Sequence, residues 1–443
     1  MPTEAALESL PTMNELTDEQ DDLLSDLQSD AFNYFIHEVN LENGLVADCT
    51  KEGWPSSIAA IGMALSAYPV GVERKLITRK EAIVRTLRKL RFFAESEQSS
   101  KPDATGYKGF YYHFLDMKTG RRAWQCELST VDSTFLFAGM LVAAAYFDRD
   151  SEAETEIRRL ADQLYQRADW RWAMNGGATL THGWRPETGY LAHRWQGYDE
   201  STLAYVLGLG SPTFPLPVES YQAHMALCNL RKVYEYEYLF AGPLFMHQFP
   251  HLWIDFRGIQ DETARTWGLD YFENSRRATY AQREYAKRNP NGYKGYSEVC
   301  WGLTACEGPG PKELIIDGMK RAFFDYVARG VPDGPDDGTL APWAVVASLP
   351  FAPEIVLPAL KHFNQIEIGV EHPYGLEATF NPTFPDEKCR DCGWLSPWHF
   401  GINEGPIVLM IENYRSDLLW RLMRSSPYII AGLRRAGFSG GWL

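Results

Sequence analysis

Residues 131–147 constrain this chain most. Their centre reads Phe135-Leu-Phe-Ala-Gly-Met-Leu-Val-Ala-Ala-Ala145, so almost every face is apolar. A helix that is apolar all round must be buried on most sides, and other elements have to wrap it. The next stretch, Glu152 to Ala168, keeps a helical period but has a polar face. The same alternation runs along the chain. Leu23, Leu24, Leu27, Phe32, Tyr34 and Phe35 share a first helix, Ser56 to Ala67 forms a small-residue apolar helix after Pro55, and Glu81 to Phe93 is amphipathic. Further helices are expected near 200–209, 219–233, 261–288, 296–304, 312–329, 341–348, 353–364 and 404–424. Roughly a dozen helices result, more buried ones alternating with more exposed ones.

No strand–helix–strand rhythm and no glycine-rich phosphate loop interrupts this pattern. The connections at 105–126, 171–199, 241–260, 289–296, 330–340 and 371–403 are long and rich in Trp, Gly, His and Pro. Long connections in a compact domain are usually functional. The expectation is an all-α fold, an α/α toroid or barrel whose long loops gather over one end to form a cleft. Residues 1–20 read as a disordered acidic leader and 21–443 as a single catalytic domain.

The chain has 443 residues and a formal net charge of −15. It lacks the basic footprint that nucleic acid or an anionic membrane surface requires. The surplus of carboxylates fits a neutral substrate and supplies groups for acid–base work, although acidity also serves solubility. Aromatic residues make up 14%. Most are read as core, and the remainder suit a sugar cleft, because aromatic faces stack on the apolar faces of pyranose rings. No run of apolar residues is long enough to span a bilayer. The first 30 residues show no secretory signal, which points to the cytoplasm, or to the periplasm or exterior if a leader has been removed. The seven cysteines are read as mostly free thiols in a reducing compartment, with a Cys389–Cys392 disulfide as the alternative. A lone CxxC is too little for a zinc site, and neither a metal nor a cofactor is expected.

Five segments could carry chemistry. Glu127-Leu-Ser-Thr-Val-Asp132 opens the most buried helix, where Ser129 to Asp132 fits a capping-box variant while Glu127 stands free to reach a cleft. Trp184-Arg-Pro-Glu187 and Trp195-Gln-Gly-Tyr198-Asp199-Glu200 surround another helix start. A carboxyl among aromatic rings is partly desolvated and stays protonated near neutrality, as a general acid must. Glu200 is the preferred acid, and Asp199 is read as the cap. In the segment from His247 through His251, Trp253 and Asp255 to Arg257, satisfied histidines are favoured over a metal pair, and Asp255 is placed to pair with Arg257. Glu307 follows Trp301-Gly-Leu-Thr-Ala-Cys306, and Glu377 leads Ala-Thr-Phe-Asn381, each on a Gly- or Pro-bounded loop. Finally, Gly401-Ile-Asn403-Glu404-Gly-Pro406 enters a helix in which Glu412 and Arg415 are candidates for a structural network. Trp398 stands just upstream, another aromatic in reach of a sugar.

Taken in order, several motifs resemble one family. They are Gly109-Phe-Tyr-Tyr-His-Phe-Leu-Asp116, Glu127 to Asp132, Asp199-Glu200 with Leu207-Gly-Leu-Gly-Ser-Pro212, Asp270-Tyr-Phe-Glu-Asn-Ser-Arg276, Trp301-Gly-Leu-Thr304, Asp337-Gly-Thr339 and Met410-Ile-Glu-Asn-Tyr-Arg415. From about Leu45 to Phe438 the chain resembles the glucoamylase-like bacterial proteins that include the β-1,2-glucanases. The resemblance implies an (α/α)6 toroid, a β-1,2-linked glucan as partner, a cleft needing no metal, and an acid at the position of Glu200. The chain also departs from that pattern. The family segment usually reads Gly-Ile-Asp-Gln-Gly-Pro, and here it is Gly401-Ile-Asn403-Glu404-Gly-Pro406. Cys306-Glu307 and Glu377-Ala-Thr-Phe-Asn381 stand where the family often has Ser-Asp and Asp-Ala-Phe-Asn. An amide does not take up a proton near neutrality, so Asn403 leaves the second catalytic carboxylate open among Glu404, Glu377 and Glu307, and transfer to a sugar hydroxyl becomes plausible beside hydrolysis. Glu127, Asp132, Trp184, Trp195, Tyr198, His247, Arg257, Asn381 and Trp398 complete the expected substrate contacts. A glucan-binding protein without catalysis, and a different toroid enzyme such as a sugar epimerase or phosphorylase, are the alternatives.

Overall fold

The computed structural model describes residues 16–369, 373–386 and 392–443. The helices in chain order are α1 (Asp18–His37), α2 (Ile58–Glu73), α3 (Arg79–Glu95), α4 (Thr130–Tyr146), α5 (Glu152–Gln166), α6 (Trp170–Ala173), α7 (Thr202–Gly210), α8 (Val218–Met225), α9 (Glu262–Trp267), α10 (Tyr271–Arg288), α11 (Pro342–Val346), α12 (Pro353–Gln365), α13 (Gly401–Ser416), α14 (Leu418–Arg424) and α15 (Pro427–Arg435). The fold is mostly helical. None of the described helices is long and apolar enough to cross a membrane.

The expected alternation of burial is present. Helices α2, α4, α7 and α11 are buried along nearly their whole length, and α13 over its first three turns. Helices α3, α5, α10 and α12 bury one stripe; in α5 it comprises Glu154, Ile157, Leu160, Ala161, Leu164 and Tyr165. The amphipathic helices carry the strong caps that exposed ends need: Thr78 with Glu81 forms a capping box on α3, and Ser151 and Asp270 cap α5 and α10. Helix α2 packs on α4, α4 on α5 and α7, and α13 on α1, α2 and α11. The last long helix therefore meets the first two.

Close approach of the buried helices depends on glycine. A Cβ added at Gly139 of α4 would lie 2.2 Å from the Gly62 carbonyl oxygen of α2, and one at Gly62 would lie 2.3 Å from that of Phe135. The two backbones touch there, so no side chain can yield. Gly210 and Gly432 bring α7 and α15 together in the same way. Alanine is the better helix former by about 1 kcal/mol, but overlap with backbone outweighs that. Gly139→Ala is expected to destabilise the protein by about 1–3 kcal/mol. A urea midpoint equal to or above that of the wild type would refute this reading.

Several expectations need correction. The fold is not purely helical. The connections 105–126 and 171–199, with the segment that enters α4 between them, build a five-stranded antiparallel sheet in the order Gly106–Tyr107, Phe110–Tyr112, Leu128–Ser129, Gly183–Arg185, Gly189–Tyr190. Residues 312–329, expected as helix, contain the hairpin Lys312–Ile316 with Met319–Phe323. Its turn, Asp317-Gly318, has φ of 50° and 78°, the geometry an Asp-Gly hairpin favours. Residues 219–233 split into α8 and the strand Leu230–Val233, 261–288 is broken at Gly268 (φ 68°), 404–424 is broken at Asp417, and 296–304 is not helical. The leader was expected to extend to residue 20, but α1 begins at Asp18, where the Thr17 hydroxyl accepts a hydrogen bond from the Gln20 N–H and the Gln20 side-chain oxygen accepts one from the Thr17 N–H. Residues 1–15 and Cys389 lie outside the described residues. Cys49, Cys126, Cys228, Cys300 and Cys306 are free thiols, but Cys392 is disulfide-bonded.

Candidate active site

The buried helices share a polarity. Ser57 at the start of α2, Asp132 in the first turn of α4, Glu200 just before α7, Trp343 in α11 and Asn403 in α13 all line one cleft of about 520 Å³. Helix N-termini carry partial positive charge and spare N–H groups, which suits a cavity walled with carboxylates.

One wall is organised by the five-stranded sheet and the cap of α4. The His113 N–H donates to the Glu127 carbonyl, 3.0 Å away, and the side chains meet as well, with Nδ1 2.9 Å from Glu127 Oε1. His113 Nε2 lies 3.6 Å from Asp132 Oδ2. Burial works against charge on this imidazole, but Asp132, Glu127 and Asp48 outweigh it and raise the pKa to about 9. Glu127 shows the converse. Burial would raise its pKa, yet the hydrogen bond and charge of His113, helped by Arg185, hold it down at about 2. Ser129 caps α4 by accepting from the Asp132 N–H at 3.2 Å and donates its hydroxyl to the Asp132 carboxylate. Asp132 is thus both a capping residue and a cleft residue. Asp48 accepts from Trp54 Nε1 at 3.1 Å, and burial raises it to about 6 despite His113 and Trp54. Trp195 donates to Thr130 Oγ1 at 2.9 Å and stacks on His182 with ring centres 3.8 Å apart.

Glu200 faces this wall. It is 8% exposed, and its Oε2 has no hydrogen-bond partner among the described residues. Burial first, then the charges of Asp199 and Asp132, push its pKa well above the usual carboxylate range. Asp199 accepts from the Ser201 N–H at 2.9 Å and from the Ser201 hydroxyl, so it holds the turn into α7 while Glu200 opens on the cavity.

Glu307 belongs to the other wall, after the strand Ala305–Cys306, which pairs with Val327–Ala328. Burial, Asp48 and Asp325 raise its pKa to about 7 against the pull of Lys51 and Arg329. Tyr326 also lines the cleft and is largely open to solvent.

The remaining expected residues lie outside the cleft lining. Glu404 is 1% exposed and bonds His399 Nδ1 at 2.8 Å, while Glu377 lies 3.5 Å from His399 Nε2. Asn381 donates to the Asp337 carbonyl and Thr339 Oγ1. His247 is a satisfied histidine, 3.1 Å from the Ala241 carbonyl and lowered to about 4 by burial, and Tyr198 packs against it and stacks on Tyr271. Arg257 pairs with Asp255 at 2.8 Å, as expected, and with Asp417. Glu412 is held by Arg74, Gln28 and Ser416, and Arg415, which pairs with Asp21, joins the same structural network through Gln28. Trp184 packs on Tyr107 and Trp172, and Trp398 lies at the rim near Lys51. Among the described residues no group of three or more His, Cys, Asp or Glu is placed to hold a metal ion.

Asp48, His113 and Tyr326 were not singled out from the sequence. His113 sits inside the Gly109–Asp116 motif, which was its available signal. Asp48 gave none, because its relation to His113 exists only after folding. Tyr326 was hidden by reading 312–329 as helix.

The family model Glycoamylase, described as putative glucoamylase, matches residues 192–427. A curated relative is the exo β-1,2-glucooligosaccharide sophorohydrolase (non-reducing end) of Parabacteroides distasonis, 27% identical over 95% of this chain; the chain spans 58% of that relative's length. Among solved structures, a putative glucoamylase from Bacteroides uniformis is 31% identical with a TM-score of 0.83, over 97% of this chain and 100% of that one. An endo-β-1,2-glucanase from Chitinophaga pinensis, in complex with sophorotriose and glucose, is 26% identical with a TM-score of 0.84, over 97% and 100%.

Proposed function

The chain belongs to the Glycoamylase family, and from that premise we propose that it is a glycoside hydrolase cleaving β-1,2-glucosidic linkages of a glucan or its oligosaccharides. Relatives named for β-1,2-glucan and sophoro-oligosaccharide hydrolysis support the substrate class. Alternation of buried and striped helices, the contact of α13 with α1 and α2, and the shared polarity of the buried helices support an (α/α)6 toroid with its cleft over one end. The observation that carries the reading is Glu200, a carboxyl more than nine-tenths buried with one oxygen unpartnered at a cavity wall.

In this reading Glu200 is protonated and donates to the glycosidic oxygen as its bond to C1 breaks. A water oxygen forms the new bond to C1 and gives its proton to an ionised carboxylate. Of the three candidates for that partner, Glu404 and Glu377 face His399, and Glu307 alone lines the cleft. Glu307 is therefore assigned as the base. Asn403, lacking a proton-accepting group, orients hydroxyls. Glu127 and Asp132, fixed by His113, accept hydrogen bonds from sugar hydroxyls, while Trp195 offers a stacking face. Asn403 also favours a minor course in which a sugar hydroxyl replaces water and a longer chain forms.

Linear β-1,2-glucan and sophoro-oligosaccharides incubated with the protein are expected to yield shorter products, with any longer ones reporting transfer. Unchanged length profiles would count against the assignment, and cleavage of a different linkage alone would replace its substrate. The two carboxyls also set a bell-shaped pH dependence of kcat/KM. The base must be ionised, so activity falls as pH drops through about 7, the value of Glu307. The acid must be protonated, so activity falls again as pH rises through the raised pKa of Glu200. Glu307→Gln should remove the acidic limb along with most of the rate; an unaltered profile would reassign the base.

A further inference from the structure

We propose that Trp124, outside the cleft, is a sugar-stacking platform for the part of a glucan chain that extends past the rim. The proposal rests on the reading of the cleft as a glucan site and adds a distal subsite to it.

Of the fourteen tryptophans, Trp124 alone is exposed, at 56%. Its backbone makes that exposure costly. Trp124 and Gln125 both have left-handed φ, at 53° and 51°. Bulky side chains avoid this region, and each such residue costs on the order of 1 kcal/mol. The strain is held in place from beneath. The Arg122 side chain, 1% exposed and lying over the Tyr112 ring, donates to the carbonyls of Gln125 (2.7 Å) and Cys126 (2.6 Å) and pairs with Glu187. The Ala123 N–H adds a bond to the Phe114 carbonyl at 2.9 Å. A loop pinned this firmly presents its indole in one orientation.

That indole continues the cleft. Trp124 meets Trp54 edge-on, with ring centres 4.6 Å apart, and Phe114 at 5.1 Å, and both of those line the cavity. Lys51 Nζ lies 4.5 Å from the Trp54 ring centre and 5.9 Å from that of Trp398. An aromatic strip thus runs from the carboxylate wall over the rim. A strip of separate ring faces with a cation beside it fits a neutral sugar chain, whose pyranose rings each offer one apolar face and a fringe of hydroxyls. A core role for Trp124 is excluded by its exposure.

The test compares wild type, Trp124→Ala and Trp124→Phe on β-1,2-linked substrates from trisaccharide to polymer, with kcat and KM measured separately. Binding of the same series to Glu200→Gln, with and without Trp124→Ala, is followed by calorimetry. The expected result is an increase in KM of about ten-fold on the polymer, a much smaller one on the trisaccharide, little change in kcat, and substantial rescue by phenylalanine. Equal effects at every length, or none, would overturn the platform. So would a lowered thermal midpoint that phenylalanine fails to restore, since that would make Trp124 structural. If wild type neither binds nor cleaves any of these chains, the cleft reading fails and the platform falls with it; cleavage with no length-dependent effect removes the platform alone.

Discussion

Glu200→Gln is expected to lose about 10²–10⁴-fold in kcat while the protein stays folded. General acid assistance is worth about 10²–10⁴-fold, and each tenfold is 1.36 kcal/mol of barrier. An amide has nearly the shape of the carboxyl but no proton to give, so ground-state binding should survive. Stability provides a second readout. The folded-state pKa of Glu200 lies well above the ordinary value of 4.5, so the native state holds a proton that the unfolded chain has already released. Stability from this group is full below about pH 4.5 and declines as pH rises to the folded value. Glu200→Gln removes that decline, and its thermal midpoint in alkaline buffer should exceed that of the wild type. Lost turnover with gained alkaline stability separates an active-site acid from a structural carboxyl. Near-normal turnover would end the assignment.

Glu200 was legible because its signal is local. Trp195, Tyr198 and the start of α7 lie within a few residues, and desolvation of a carboxyl follows from such neighbours. Glu127, Asp132, Trp195, Glu307 and Asn403 were legible for similar reasons, each standing at a helix start or beside a glycine-bounded loop, and the structure brings them into one cleft. Glu404 failed that logic. It occupies a helix start like the others, but His399 turns it inward, and only the fold reveals that contact. Asp48 and His113 escaped for the opposite reason. Neither is unusual among its chain neighbours, yet together with Glu127 and Asp132 they form one electrostatic cluster on the wall. Helix periodicity recovered the buried helices, whereas the hairpin at 312–323 was lost because a short apolar run such as Leu314-Ile315-Ile316 has no period that separates a strand from a buried helix segment. Their Asp317-Gly318 turn was the discriminating signal.

Arg329→Met is expected to cost about 3–5 kcal/mol of stability, the loss typical when one partner of a buried ion pair is removed. Arg329 and Asp337 are both fully buried. They meet bidentately, at 2.7 Å and 2.8 Å, and the Arg329 Nη1 also donates to the Cys306 carbonyl at 2.5 Å. Asp337 further accepts the N–H groups of Phe324 (2.8 Å) and Thr339 (3.1 Å). One ion pair therefore ties the loop of Glu307 to the segment that leads to Tyr326. Burial would raise the pKa of Asp337, but Arg329 outweighs it and holds the carboxyl below 3.8. Its contribution is thus present above that value and lost as pH falls through the folded pKa. Arg329→Lys should rescue little, since an ammonium cannot reproduce the fork. Arg329→Met combined with Asp337→Leu should recover part of the loss, because no charge is then left buried alone. Urea denaturation followed by circular dichroism measures all three. A loss below about 1 kcal/mol in the single variant would mean that water or another group solvates Asp337, and the Glu307 loop would need a different anchor. With the loop released in the single variant, kcat should fall more than KM rises if Glu307 is the base proposed above, since the anchor then positions the base and not the sugar.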